Sequence, residues 1–241
     1  MVNIENKGNL VINGMGSSGG GTFKKVLING KGTVHGDVDC YDFSINGTGR
    51  VVGNVKGEHG KINGSGDIEG SIDFDRFTID GTGGIRGNVK VNKIAISGKG
   101  RIGGSLKGEE IKIRGNATIG EDCEAEEFKG EGGFKIGGLL NADVIDISIA
   151  GECSAKEIGG QSIKVKKGIF RFLNNLFKSV YPVSLNTEII EADEIEIEYT
   201  KAKMVRGKNI NIGPDCEIDV VEYTGTFTQD PSAKIKEVIK I

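Results

Sequence analysis

Three sets of residues in this chain have types that could do chemistry, and their spacing decides against each. The first is the four cysteines, Cys40, Cys123, Cys153 and Cys216, with the two histidines, His35 and His59. A metal site needs three or four such ligands, usually with a short step such as Cys-x-x-Cys. The cysteines lie far apart with no such step, and neither histidine has a ligand partner at useful spacing, so the cysteines are expected to be reduced, buried small hydrophobes, and the histidines to face solvent. The second set is six acids between Glu188 and Glu198. They alternate with apolar residues, which is the pattern of a solvated strand face rather than a metal site. The third is the glycine- and serine-rich run from Met15 to Gly21. A phosphate loop would follow it with a Gly-Lys-Ser/Thr lysine and a helix, and neither is present. No carboxylate pair recurs on one face for acid–base cleavage of a polysaccharide. The expectation is a protein that is not an enzyme and takes no cofactor.

A different chemistry, contact with a surface, is suggested between Lys166 and Thr187. Alternation stops there, and Lys164, Lys166, Lys167, Arg171 and Lys178 have no acidic neighbour in sequence. On a helical wheel Ile169, Phe170, Phe172, Leu173, Leu176, Phe177, Val180 and Tyr181 share one half, with Gly168 before them and Pro182 after. This predicts a basic amphipathic helix of three to four turns. Phe170, Phe172, Leu173 and Phe177 would enter a lipid surface or a partner groove, while Lys166, Lys167, Arg171 and Lys178 meet lipid phosphates. The alternative is a helix that packs on its own protein as a cap.

The elements that must carry these residues are set by a repeat. Ile28, Ile45, Ile62, Ile79, Ile96 and Ile113 follow one another at a step of 17 residues. Glycine keeps the same step at Gly30, Gly47, Gly64, Gly81, Gly98 and Gly115. A fixed period with no helical spacing inside it is the signature of a stacked solenoid, one coil per repeat. Even positions counted from Val26 are apolar or glycine, and odd ones are mostly polar. Side chains alternate along a strand, so the even set should point inward. The reading is an all-β parallel β-helix with three short strands per coil. The inward glycines are expected at corners, where they permit backbone angles that other residues resist. The low aromatic content, 6%, suggests an interior too slim for large rings. Outward, Asn29, Asn46 and Asn63 form a column whose amides should bond from coil to coil.

Along the chain, residues 1–25 read as an irregular first coil or a flexible N-terminus, and 26–165 as β-helix. Residues 166–187 read as the helical insertion, and 188–241 as further coils with a closing strand. The step loosens to 18 at Ile163 and Val165, and shortens to 15 between Ile195 and Ile210. The net charge of −3 gives no footprint for nucleic acid. No secretory signal precedes the cysteines, so a cytoplasmic protein is expected.

The Ile-x-Gly-x-Gly-x-Ile/Val-x-Gly-x-Val/Leu coil resembles that of the bactofilins, bacterial polymer-forming cytoskeletal proteins. The run from Ile212 to Phe227 is similar to the longer form from Gram-positive bacteria. The resemblance implies a right-handed, triangular β-helix that assembles end to end into filaments without nucleotide, often at the inner face of the membrane. The partners it implies are further copies of the chain, with the membrane surface and unknown protein clients besides. Two alternatives stand beside it: a membrane-associated adaptor that does not polymerise, and a carbohydrate-active β-helix enzyme or binder. The helix and the 15-residue coils are departures from the usual bactofilin pattern.

Overall fold

The structure, a computed structural model, describes residues 7–168 and 183–241. They fall into two compact units, Met1–Gly120 and Glu121–Ile241. Each is a right-handed parallel β-solenoid, the hand that twisted strands with parallel crossovers favour.

In the first unit the coil from Thr82 onward shows the plan. Strand Thr82–Ile85 pairs in parallel with Ser65–Ile68 before it and Lys99–Ile102 after it, residue i against i±17. Strand Val89–Ile96 pairs in the same way with Ile72–Ile79. Gly83 and Ile85, then Val89 and Val91, then Ile94 and Ile96 are buried. They form three inward pairs on three faces, because two successive outward residues, Asn92 and Lys93, bend the longer strand. Ile79 is fully buried and Thr82 exposed, as the alternation predicts.

The glycine columns work by contact more than by backbone angle. A Cβ on Gly70 or Gly53 would press on backbone atoms of the preceding coil at 2.5–2.6 Å, and one on Gly47, Gly64, Gly81, Gly98 or Gly115 would come closer still. Only Gly36 (φ 104) and Gly21 (φ 144), with Gly53 at the margin (φ 159), have positive φ among the described glycines. The backbone-angle reason is therefore corrected: stacked backbones, or at Gly49, Gly66, Gly83 and Gly100 the isoleucine side chains, leave little room for a Cβ.

The slim interior is corrected as well. Phe43, Phe77 and Phe128 are among the largest fully buried side chains. Phe74 and Phe77 meet edge to face with centroids 5.1 Å apart, and Phe43 lies 6.3 Å from Phe74. Their space comes from Gly57 and Gly60 in the coil between, which pair with Phe74 and Phe77. The run from Met15 to Gly21 is part of strand Met15–Ile28, paired with Lys31–Ile45 through a register shift between Gly19 and Gly21.

In the second unit the coil length varies. Cys123 pairs with Leu140, Ile145 with Ile163, Ile163 with Ile195, Ile195 with Ile210, and Ile210 with Phe227. The steps of 18 and 15 are thus real pairings.

The inserted helix is a correction to the fold class. Every regular element among the described residues is a strand. Lys166 and Lys167, assigned to the insertion, finish strand Cys153–Lys167, and Leu185 to Thr187 open strand Leu185–Ile197. Pairing with neighbouring coils holds them extended: Lys166 and Lys167 lie beside Ser148 and Ile149, and Leu185 to Thr187 beside Thr200 to Ala202. The remainder of that assignment, Ile169 to Pro182, lies outside the described residues.

Candidate functional site: ladders and an open coil edge

Two polar ladders run up the first unit. In one, Asn29 Nδ2 donates to Asn13 Oδ1 (2.8 Å), Asn46 to Asn29 (2.8 Å) and Asn63 to Asn46 (2.7 Å). The second escaped the sequence reading. The backbone N–H of Asn54 donates to Asp37 Oδ1, that of Ser71 to Asn54 Oδ1, that of Asn88 to Ser71 Oγ and that of Ser105 to Asn88 Oδ1, at 2.7–3.0 Å. Each short side chain replaces a backbone partner at a bend, where the ladder of main-chain bonds would otherwise lapse. The signal was present: Asp37, Asn54, Ser71, Asn88 and Ser105 keep the step of 17.

Lys166 and Lys167 are committed within the fold. Lys164 and Lys166 both reach Glu196, each at 3.1 Å. Hydrogen bonds from Lys166 and Lys164 hold the Glu196 carboxyl below the usual carboxylate range. The Lys167 ammonium lies 4.5 Å from the centre of the Tyr199 ring and 3.4 Å from its hydroxyl. Tyr199 itself has φ 49, a left-handed conformation that costs a non-glycine residue energy. Phe170, Arg171, Phe172, Leu173, Phe177 and Lys178 lie outside the described residues, so their arrangement with these lysines is not assigned.

The cysteines are free and buried. Burial pushes the Cys40 thiol up to about 12 and those of Cys153 and Cys216 to about 11, which leaves no thiolate for chemistry near neutrality. His35 and His59 are exposed, and His59 meets the Tyr41 ring edge at 5.4 Å. Among the described residues no three His, Cys, Asp or Glu side chains gather as metal ligands. A shallow groove of about 380 Å³ is lined by Glu194, Glu196, Asn209, Asn211, Thr226 and Thr228. Its polar groups bond one another, Asn209 to Glu194 and both threonines to the asparagines below them.

The feature of the second unit that is least complete is its last coil. Strand Phe227–Gln229 pairs with Thr200–Ile212, and Lys234–Lys240 with Glu217–Tyr223. On their other side neither has a partner among the described residues. Ile218 and Val221 are buried, yet Ile235 and Val238 stacked on them are only half-covered, with Val238 42% exposed and Ile241 62%. Tyr223 and Phe227 stack beside them at 5.4 Å. Charges fringe the edge, with Lys236 2.7 Å from Asp219 and Lys234 3.8 Å from Glu217. In the first unit, strand Asn9–Ile12 also pairs on one side only among the described residues. There the residues under Gly32, Val34 and Val38 are Gly16, Ser18 and Gly21, a much less apolar layer.

These features define a parallel β-solenoid whose Phe227–Gln229 and Lys234–Lys240 strands are part-exposed and paired on one side among the described residues. No family model matches the chain, and no solved structure matches it. It is 63% identical over 235 residues to a protein of Bacillus subtilis (strain 168) described as uncharacterized protein YhbE, covering 96% of this chain and 98% of that one. A second protein of the same bacterium, described as uncharacterized protein YhbF, is 36% identical over 105 residues, 43% of this chain and 42% of its own. The chain belongs to the family of the first of these, the Bacillus subtilis protein YhbE.

Proposed function

We propose that this chain is a bactofilin-like structural subunit that assembles end to end with copies of itself in the cytoplasm, without nucleotide. The observation that carries the reading is the last coil, whose unpaired strand edge lies beside half-exposed apolar side chains on a closed apolar layer. An open strand edge is a template for another strand, and natural folds usually blunt it. Fully burying a Val or Ile side chain is worth about 1.5–3 kcal/mol, and each added main-chain hydrogen bond about 0.5–1.5 kcal/mol. A second strand laid on Lys234–Lys240 would gain both. Its role is that of a scaffold that recruits clients. Contact with the membrane is peripheral in this reading; among the described residues no helix is long and apolar enough to cross one.

The test is electron microscopy and sedimentation of the purified protein with and without ATP or GTP. Concentration-dependent assemblies unaffected by nucleotide are expected. Val238→Glu should disperse them with little change in thermal unfolding, since the side chain is already part exposed. A wild-type protein that stays monomeric at every concentration overturns the reading.

A further inference from the structure

The chain contains four Asn-Gly pairs, Asn13-Gly14, Asn29-Gly30, Asn46-Gly47 and Asn63-Gly64. All four asparagines are exposed and stand in one ladder. An Asn-Gly pair is chemically labile, because the glycine nitrogen meets no Cβ on its way to the asparagine side-chain carbonyl. Three of the pairs are restrained at both reacting atoms. The N–H of Gly30 donates to Ile12 O, that of Gly47 to Ile28 O and that of Gly64 to Ile45 O, each at 3.2 Å. The leaving nitrogens of Asn29, Asn46 and Asn63 are tied to the Oδ1 of the asparagine below.

Asn13-Gly14 differs at each point. Among the described residues no bond restrains the Gly14 N–H or the Asn13 amide nitrogen; Asn13 accepts from Asn29, and the Gly14 carbonyl accepts from Lys31. Gly14 is exposed whereas Gly30, Gly47 and Gly64 are half-covered. A Cβ placed on Gly14 would meet nothing within 4 Å, while one on the other three would run into the backbone of the coil below.

We infer that Asn13 is a site of spontaneous deamidation and isomerisation, with water as the co-reactant. The Gly14 nitrogen attacks Asn13 Cγ. The new N–Cγ bond replaces Cγ–Nδ2, and Nδ2 leaves as ammonia carrying the Gly14 proton. Water then opens the cyclic imide at either carbonyl, giving aspartate or isoaspartate. The aspartate still accepts from Asn29 Nδ2. The isoaspartate lengthens the backbone between Ile12 and Gly14 by one atom. That shifts strand Asn9–Ile12 out of its register with Lys25–Ile28, and Ile12 loses its cover. The conversion thus loosens the first strand at a rate set by chemistry.

Folded full-length protein is incubated at mildly alkaline pH, and peptide mapping follows the mass increment of an NH-to-O exchange at the four sites. Asn13 is expected to convert several-fold faster than Asn29, Asn46 or Asn63, and enzymatic isoaspartyl methylation should label the same peptide. In denaturant the four should converge. Gly14→Ala, for which the structure has space, should slow conversion several-fold while leaving the unfolding transition in place. Conversion of all four at equal rates when folded, a persistent lead of Asn13 in denaturant, or no slowing in Gly14→Ala would each overturn the inference.

Discussion

Phe77 fills the space that Gly60, its partner one coil earlier, leaves empty. A Cβ built on Gly60 would collide with the Phe77 ring and come within 3.0 Å of Phe74 Cε1. The column above continues with Ile94, so the aromatic is a local choice matched to a local glycine. Packing at crystal-like density makes such matches between coils specific.

Gly60→Ala should therefore destabilise the protein by about 1–3 kcal/mol, the usual cost of overpacking. Adding Phe77→Ile to Gly60→Ala should recover part of that loss, because Ile94 shows that the column accepts isoleucine. Urea unfolding of the two single variants and the double variant measures the coupling. Purely additive losses would show that the ring does not occupy the glycine's space.

Ile79→Asp and Thr82→Asp separate the two sides of one coil. Ile79 is fully buried and Thr82 exposed. An unpaired buried carboxylate costs several kcal/mol or more. Each coil shares its stability with its neighbours, so the first variant should lose cooperative unfolding. The second should unfold close to the wild type in a thermal melt.

Asn46 both donates to Asn29 and accepts from Asn63. Asn46→Ala removes two side-chain bonds, each worth about 0.5–1.5 kcal/mol net, with the lower figure apt for exposed amides. Asn46→Asp keeps the acceptor and loses the donor, so its loss in chemical unfolding should be the smaller one at low protein charge density and high salt.

The thiols set an alkaline limit. Burial raises Cys40, Cys153 and Cys216 above the ordinary value of 9.0, to about 12, 11 and 11. A raised folded value means the contribution is complete below pH 9.0 and is lost as the pH climbs through about 11–12. In the unfolded chain the thiols ionise first and draw the equilibrium toward unfolding. Thermal midpoints should fall as the pH rises from 9.0 toward about 11–12. Near neutrality a thiol reagent should label these cysteines only after denaturation.

The sequence by itself determined the coil. Its period of 17, its inward and outward parity and the amide column from Asn29 to Asn63 follow from residue spacing, because in a parallel stack residue i sits on residue i+17. Even the change to steps of 18 and 15 could be read from isoleucine pairs. What it left undecided depends on neighbours one coil away or further. The buried rings of Phe43, Phe74 and Phe77 need room that glycines in another coil provide. The strand character of Met15 to Gly21 comes from pairing with Lys31–Ile45 and not from propensity. Lys164 and Lys166 find Glu196 across a stretch of chain that no local window spans. The extended state of Lys166 and Lys167 was decided in the same way, by pairing with Ser148 and Ile149 in the adjacent coil.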